Sequence, residues 1–241
     1  MTSALAAAPL PRPTTPRRCL EALLAGNHRF TGNTRRHPDP RTWTEAGRAP
    51  EPFAAVFSCA DSRVAPELIF DCGLGDLVTV RSPGHAVDAG VVAALERQMR
   101  RHRLPLLAVV GHQGCAAIAA SLADRAQGAT LRALDGSASP AGRGGADRCP
   151  AAPVLEQVVT ERVRLSVHDL VEASPLVDAA VAAGTMAVVG LTFSLGTGEV
   201  AVVETVGALS GAPAARPSPP RRTGTTRLPG SPPRPPATAT F

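Results

Sequence analysis

Short apolar runs alternate along this chain with longer stretches in which apolar residues recur at helical spacing. The helical periodicity predicts five helices, at residues 19–30, 88–101, 115–127, 154–172 and 175–183. The apolar runs predict buried strands at residues 53–58, 77–81, 106–111 and 186–193, with one more strand at 199–205. Helices and strands therefore succeed one another through most of the chain.

This alternation predicts the α/β fold class: a single domain with a largely parallel central β-sheet flanked by helices on both faces. In such sheets, ligands bind beyond the carboxyl ends of the strands, where the strand order reverses. The exits of two strands, just after Phe57 and just after Val110, are therefore the first places to search for functional side chains.

The composition changes at the two ends of the chain. Both ends are rich in Pro, Thr, Ser and Ala and hold few large apolar residues, so they cannot bury enough surface to order themselves. We expect a disordered tail at residues 1–18, a folded domain at 19–210 and a Pro- and Arg-rich disordered tail at 211–241. A Gly-, Ala-, Ser- and Pro-rich segment at 135–153 predicts a mobile loop.

The net charge of +5 is unevenly distributed. Of the 25 basic residues, eight are arginines of the two predicted tails, which contain no acidic residue. That leaves 17 basic against 20 acidic residues in the rest of the chain. A domain so close to neutral lacks the basic groove that nucleic acid requires, so we expect no nucleic-acid partner.

The five cysteines are odd in number and widely spaced, which makes a disulfide framework a poor interpretation. They are compatible with a reducing compartment and with metal ligation. The first ten residues lack the basic region of a secretory signal, and no apolar run approaches the roughly 20 residues of a membrane span. We therefore predict a cytoplasmic protein with no membrane partner.

Both strand exits are followed by side chains suited to metal chemistry. Cys59, Asp61 and Arg63 follow the first exit, and His112 and Cys115 follow the second, where a helix begins. Thiolate and imidazole suit zinc, and three protein ligands are typical of catalytic zinc sites, with Asp61 or water in the fourth position. Taken separately, Cys115 is equally well explained as a small apolar residue, and Asp61 with Arg63 as a solvated salt bridge.

Together these motifs give the chain a pattern that resembles the β-class carbonic anhydrases from about residue 19 to 205. The resemblance rests on Gly26-Asn27-His28-Arg29-Phe30, the motifs at 59–63 and 111–115, Gly75-Asp76-Leu77, Ser174-Pro175 and Gly196-Thr197-Gly198. It implies a zinc lyase that reversibly hydrates carbon dioxide to bicarbonate, with one Zn²⁺ per chain held by Cys59, His112 and Cys115. It also implies that Asp61 and Arg63 form a catalytic dyad, which orients a zinc-bound hydroxide.

Asp61 is also a candidate for the fourth zinc ligand. A bidentate contact from Arg63 would keep the carboxylate ionised and aimed at the reacting hydroxide. If Asp61 instead binds zinc, Arg63 is released and the open position closes. Because hydroxide competes with the carboxylate, we expect activity to rise with pH.

The chain departs from the family pattern beside this site. Arg81-Ser82-Pro83-Gly84-His85 stands where the family commonly has Arg-Asn-Ala-Gly-Asn, and Ala116 stands where Gly usually follows the second cysteine. His85 is either a pocket residue that relays protons or a hydrogen-bonded loop histidine. The absence of Tyr excludes a tyrosine relay.

Two alternatives to carbon dioxide hydration remain open at the level of sequence. The same fold and metal could serve a hydrolase of carbonyl sulfide or carbon disulfide, because the pocket walls decide the substrate. The departures at Ala116 and residues 81–85 also allow a catalytically silent, zinc-binding regulatory protein.

A homodimer or higher homo-oligomer is expected from the first helix. That amphipathic helix precedes the first strand and has no partner in its own sequence neighbourhood, and in the family it embraces a second subunit.

Overall fold

A computed structural model describes residues 12–36, 50–126 and 152–209 of the 241-residue chain. The predicted C-terminal tail, residues 1–11 of the predicted N-terminal tail and residues 135–151 of the predicted loop lie outside the described residues. No helix within the described ranges has the length and apolar character needed to cross a membrane.

Helices and strands alternate as the sequence predicts. The helices are α1 (Pro16–Thr31), α2 (Pro66–Ile69), α3 (Ala89–His102), α4 (Ala116–Ala126), α5 (Ala152–Ala173) and α6 (Pro175–Ala182). The strands are β1 (Ala54–Cys59), β2 (Leu77–Ser82), β3 (Leu106–His112), β4 (Ala187–Phe193) and β5 (Val200–Val206), and a 3₁₀ turn covers Pro83–His85. All five predicted strands are confirmed, whereas α2 and the 3₁₀ turn are too short for periodicity to reveal.

The first helix begins three residues before its predicted start, for reasons that are local. Pro16 occupies the first turn, where a missing N–H costs nothing, and the Thr15 side chain accepts a hydrogen bond from the backbone of Arg18. Residues 16–18 are therefore helical.

The five strands form one sheet in the order β2-β1-β3-β4-β5. The first four strands run parallel, and β5 returns antiparallel to β4. The chain leaves β1 to build β2 on one side and then crosses to build β3 on the other, so the strand order reverses between β1 and β3. This confirms the predicted fold class and places a ligand crevice at the ends of those two strands.

Apolar side chains cover both faces of the sheet. On one face, α1 and the α2 region pack against alternate residues of β1, β3 and β4. On the other face, α3, α5 and α6 pack against the intervening residues of the same strands. Cys19, Leu20 and Leu23 bury α1 against its own sheet, so this helix finds an apolar partner in segments of its own chain that are distant in sequence.

The end of α1 is joined to two distant segments by Asn27, which is 6% exposed. Its side-chain amide donates to the carbonyl oxygens of Ile69 at 3.2 Å and Gly198 at 2.8 Å, and its oxygen accepts from Val200 N–H at 2.9 Å. At the preceding Gly26, a Cβ would lie 1.8 Å from the Phe70 oxygen, so only glycine permits this approach. These contacts tie α1 to the end of α2 and to the β4–β5 hairpin.

Candidate metal centre

The ends of β1 and β3 bring together three side chains that could hold a metal ion. Cys59 is the last residue of β1, His112 is the last residue of β3, and Cys115 immediately precedes α4. All three are buried, and their ligand atoms lie within 4.8 Å of one another. Since neighbouring parallel strands end at the same edge of a sheet, ligands far apart in sequence converge here.

The spacing of the two sulfurs suits a tetrahedral metal. Cys59 Sγ and Cys115 Sγ are 3.8 Å apart. Zinc bound tetrahedrally at about 2.3 Å from each of two sulfurs separates them by about 3.8 Å. Two thiolates with one imidazole are also a donor set that zinc prefers over magnesium or calcium.

The imidazole of His112 directs its Nε2 atom toward the two cysteine sulfurs. Its Nδ1 donates a hydrogen bond to the carbonyl oxygen of Gln113 at 2.9 Å, which leaves the lone pair on Nε2. Nε2 is buried and has no hydrogen-bond partner among the described residues. An orphaned, unprotonated nitrogen beside two thiols is what a metal ligand requires, so these three residues fit zinc.

The two thiols are electrostatically inequivalent. Cys115 and the backbone N–H of Gly84, at 3.3 Å, donate hydrogen bonds to Cys59 Sγ, which holds the pKa of Cys59 well below its usual range. The same contact with Cys59, together with burial, raises the pKa of Cys115. Burial opposes a charge on His112, but the neighbouring Cys59 thiolate favours one, so the His112 pKa is raised.

Beside the three ligands, Asp61 and Arg63 form a two-point ion pair. Arg63 Nε donates to Asp61 Oδ1 at 2.9 Å and Arg63 Nη2 donates to Oδ2 at 2.7 Å, while the Arg63 backbone N–H adds a third bond at 3.0 Å. These hydrogen bonds hold the pKa of Asp61 far below its ordinary value. Asp61 Oδ2 lies 3.9 Å from His112 Nε2, so an ionised carboxylate adjoins the metal ligands.

Arg81 was not recognised from sequence as a site residue, although it contacts the same segment. Its Nε donates to the Cys59 carbonyl oxygen at 3.0 Å and its Nη2 donates to the Asp61 carbonyl oxygen. Arg81 lies on β2, directly beside β1, in register with Ser58. The sequence marked the motif at residues 81–85, but the contact of Arg81 with Cys59 depends on which strand lies beside β1, and that is a property of strand order.

His85 lies in the 3₁₀ turn after β2 and is fully buried. Its Nδ1 lies 3.2 Å from Ser166 Oγ of α5, and its Nε2 has no partner in the described part of the chain. Burial, with a smaller contribution from Arg162, lowers the pKa of His85 to about 4. A buried, neutral imidazole favours the hydrogen-bonded loop histidine over the proton relay, the other role that the sequence left open.

Ala116, the other departure noted in the sequence, is the first residue of α4 and is exposed. Its methyl group therefore does not crowd the buried ligands. Cys115 precedes it at the start of the helix, where the Cys115 carbonyl oxygen accepts from Ala119 N–H at 3.0 Å.

Three comparisons place the chain among known proteins. Residues 54–200 match the family model described as carbonic anhydrase. Carbonic anhydrase 2 of Mycobacterium tuberculosis is 33% identical over 207 residues, covering 80% of this chain and 96% of the relative. A carbonic anhydrase of Mycolicibacterium smegmatis is 35% identical over 193 residues, covering 75% of this chain and 89% of the relative.

The fold agrees with these sequence matches. The chain superposes with a TM-score of 0.53 on a solved structure of a β-carbonic anhydrase from the filamentous ascomycete Sordaria macrospora, one of two that are described as tetrameric. It is 16% identical, and the match covers 77% of this chain and 97% of that one. Family model, relatives and fold agree, and the chain therefore belongs to the β-class carbonic anhydrases.

Proposed function

We propose that this protein is a zinc-dependent carbonic anhydrase that interconverts carbon dioxide and bicarbonate. The observation that carries the proposal is the convergence of Cys59, His112 and Cys115 beside an ionised Asp61 that is held by Arg63. Membership of the family and the names of its relatives support the reaction.

Cys59, His112 and Cys115 would hold one Zn²⁺ per chain. Bound zinc lowers the pKa of a coordinated water toward neutrality and so supplies a nucleophile at physiological pH. Three protein ligands leave a fourth position for that water, as in catalytic rather than structural zinc sites. The hydrogen bonds to Gln113 O and from Gly84 N–H orient His112 and Cys59 for this task.

Asp61 would accept a hydrogen bond from the attacking oxygen at its carboxylate and so orient that oxygen toward carbon dioxide. Its low pKa keeps it an acceptor throughout the neutral range. Arg63 fixes the plane of the carboxylate by donating to both of its oxygens. Because Asp61 is 16% exposed and Arg63 is 56% exposed, the dyad stands between the buried ligands and solvent.

The same carboxylate can also serve as an alternative fourth ligand, which would close the site. In this structure Arg63 engages both carboxylate oxygens, an arrangement that supports the open form. Hydroxide competes with a metal-bound carboxylate, so activity is expected to rise as the pH increases.

We further propose a cytoplasmic homo-oligomer that acts on a small molecule rather than on nucleic acid or membrane. The tetrameric description of the Sordaria macrospora proteins supports self-association. The odd number of widely spaced cysteines supports a reducing compartment.

Zinc analysis combined with stopped-flow carbon dioxide hydration across a pH series tests the function. We expect about one zinc per chain and hydration activity that rises with pH. Asp61→Asn should retain zinc but lose on the order of 100-fold or more in kcat, because a neutral amide accepts the orienting hydrogen bond more weakly and cannot take hydrogen bonds from Arg63 at two oxygens. Cys59→Ser should lose zinc, whereas Cys72→Ser serves as the matched control because Cys72 is outside the ligand group.

The outcomes separate the three readings of the site. Stoichiometric zinc without hydration at any pH would exclude the anhydrase and leave a silent zinc protein. Turnover of carbonyl sulfide or carbon disulfide in preference to carbon dioxide would indicate the hydrolase. Full zinc content in Cys59→Ser would refute the ligand assignment.

A further inference from the structure

The 3₁₀ turn at residues 83–85 lies against the metal ligand Cys59. The turn follows β2, which pairs with β1 in register from Ala54 with Leu77 to Cys59 with Ser82. Ala60 N–H donates to the Ser82 carbonyl oxygen at 3.0 Å, which extends that pairing by one bond. Gly84 N–H then donates to Cys59 Sγ at 3.3 Å. The hydrogen bond to Cys59 Sγ therefore depends on the orientation of the Gly84 backbone amide in this turn.

This orientation depends on an unfavourable backbone conformation. Gly84 has φ +60° and His85 has φ +43°, so two successive residues are in the left-handed region. Glycine enters that region freely, but for histidine it is a rarely occupied conformation that other contacts must compensate. A Cβ at Gly84 would also lie 3.3 Å from Ile118 Cγ1, so α4 confines the turn on that side.

Ser166 supplies the compensating contacts from α5. Its hydroxyl donates to the His85 carbonyl oxygen at 3.2 Å, and His85 Nδ1 lies 3.2 Å from the same Ser166 oxygen. Both contacts are satisfied together when Nδ1 carries the imidazole proton and donates to the hydroxyl. Ser166 and His85 are each 0% exposed, so water does not compete for either bond.

The ring of His85 is fully buried and lies close to the backbone of β3. A Cβ at Gly111 would lie 3.0 Å from His85 Nε2 and 2.5 Å from Val163 Cγ2. The ring therefore lies beside the backbone of β3, at a point that an aliphatic side chain of α5 also approaches. Because the ring is fully buried, the neutral imidazole is the stable form, in agreement with its lowered pKa.

We propose that Ser166 and His85 are positioning residues for the metal centre: they hold the turn in the conformation from which Gly84 N–H donates to Cys59 Sγ. The proposal rests on the proposed zinc site. An N–H donor to a ligating thiolate stabilises its charge and fixes its direction, so loss of the donor weakens metal binding. Ser166 thereby acts on a ligand more than 100 positions away in the sequence.

The test compares zinc affinity in two buried-serine variants. Ser166→Ala should bind zinc about 10-fold more weakly than the parent in competition with a chromogenic chelator. Ser174→Ala is the matched control, because Ser174 is also buried, donates to Glu96 Oε1 and accepts from Val177 N–H, but caps α6 away from the turn. Thermal unfolding of each variant measures the accompanying loss of stability.

Cobalt substitution and a second pair of variants make the test specific to positioning. The thiolate-to-cobalt absorption bands should shift in Ser166→Ala and remain unchanged in Ser174→Ala. His85→Asn should retain more zinc affinity than His85→Ala, because asparagine tolerates the left-handed region and its amide can reach Ser166. If Ser166→Ala does not fold, the comparison of His85→Asn with His85→Ala tests the positioning role instead.

Parent-like zinc affinity and cobalt spectra in Ser166→Ala, or equal affinities in His85→Asn and His85→Ala, would overturn the proposal. An equal loss of affinity in Ser174→Ala would also overturn it, since general destabilisation would then account for the effect. If the parent binds zinc and hydrates carbon dioxide, such results refute only the positioning role. A parent that binds no zinc refutes the proposed function as well.

Discussion

Two histidines of this protein, His85 and His112, show how surroundings decide the role of a residue. Both are fully buried, and each has an Nε2 atom without a hydrogen-bond partner among the described residues. The Nε2 of His112 lies near two cysteine sulfurs and the Asp61 carboxylate, where a cation would be stabilised. The Nε2 of His85 lies near Gly111, in a buried setting that favours the neutral ring. The first is suited to ligation and the second to packing.

The neutrality of His85 predicts a loss of stability in acid. Its pKa is 6.5 ordinarily and about 4 in the folded chain, so between these pH values the unfolded chain binds a proton that the folded chain does not. The stability that depends on a neutral His85 is therefore fully present above pH 6.5 and is lost as the pH falls toward 4. This shift in the His85 pKa corresponds to a loss of roughly 3 kcal/mol in the free energy of unfolding.

Urea unfolding of the zinc-saturated parent and His85→Asn at a series of pH values measures this effect. The parent should lose stability more steeply than the variant between pH 6.5 and 4, because only the parent takes up a proton at residue 85 when it unfolds in this range. Parallel declines would show that His85 does not titrate in this range.

At the scale of elements, α1 is held in place by polar contacts as well as by its apolar face. Cys19, Leu20 and Leu23 bury one side of the helix, but apolar contacts alone do not fix its position along the sheet. The three hydrogen bonds of Asn27 do so, because they join one side chain to the end of α2 and to the β4–β5 hairpin.

Replacement of Asn27 by alanine should destabilise the protein by about 2 to 4 kcal/mol, because two carbonyl oxygens and one N–H lose their partner in a largely buried setting. Chemical denaturation of the purified variant measures the change in the free energy of unfolding. Thr31→Ala on the same helix is the control, because its hydroxyl makes only a local, exposed bond to the His28 carbonyl oxygen. Equal stabilities of the two variants would contradict the role assigned to Asn27.

At the scale of the whole molecule, the order of the strands creates the site. The chain places β2 on one side of β1 and β3 on the other, so the ends of β1 and β3 adjoin and their ligands converge. The position of Arg81 beside Cys59 follows from the same order, since it requires β2 to be the other neighbour of β1. A third apolar cluster, which contains Cys59, Cys115, Ile118, Leu155 and Val159, packs these strand ends against α4 and α5.

Self-association is the prediction that belongs to this scale. Because α1 is buried within its own chain, the argument for an oligomer now rests on the tetrameric description of the Sordaria macrospora proteins. Sedimentation velocity of the zinc-loaded protein over a range of concentrations should give a mass of at least two chains. A single-chain mass at every concentration would contradict it.

The sequence by itself determined the fold class and the approximate bounds of all five strands, and it singled out Cys59, His112 and Cys115 with Asp61 and Arg63, side chains that the structure brings together. These features depend on local information, because periodicity reports which residues are buried along a helix or strand. A cysteine or histidine directly after a buried strand is likewise a local signal, because ligands bind beyond the carboxyl ends of parallel strands.

Only the tertiary structure decided which residues support that trio. Arg81 reaches Cys59 because β2 lies next to β1, and Ser166 reaches His85 because α5 crosses the sheet above the turn. Ser166 interrupts a buried apolar stripe of α5, a signal that indicates a polar contact but not its partner. The partner is set by the packing of segments distant in sequence, and neither spacing nor periodicity carries that information.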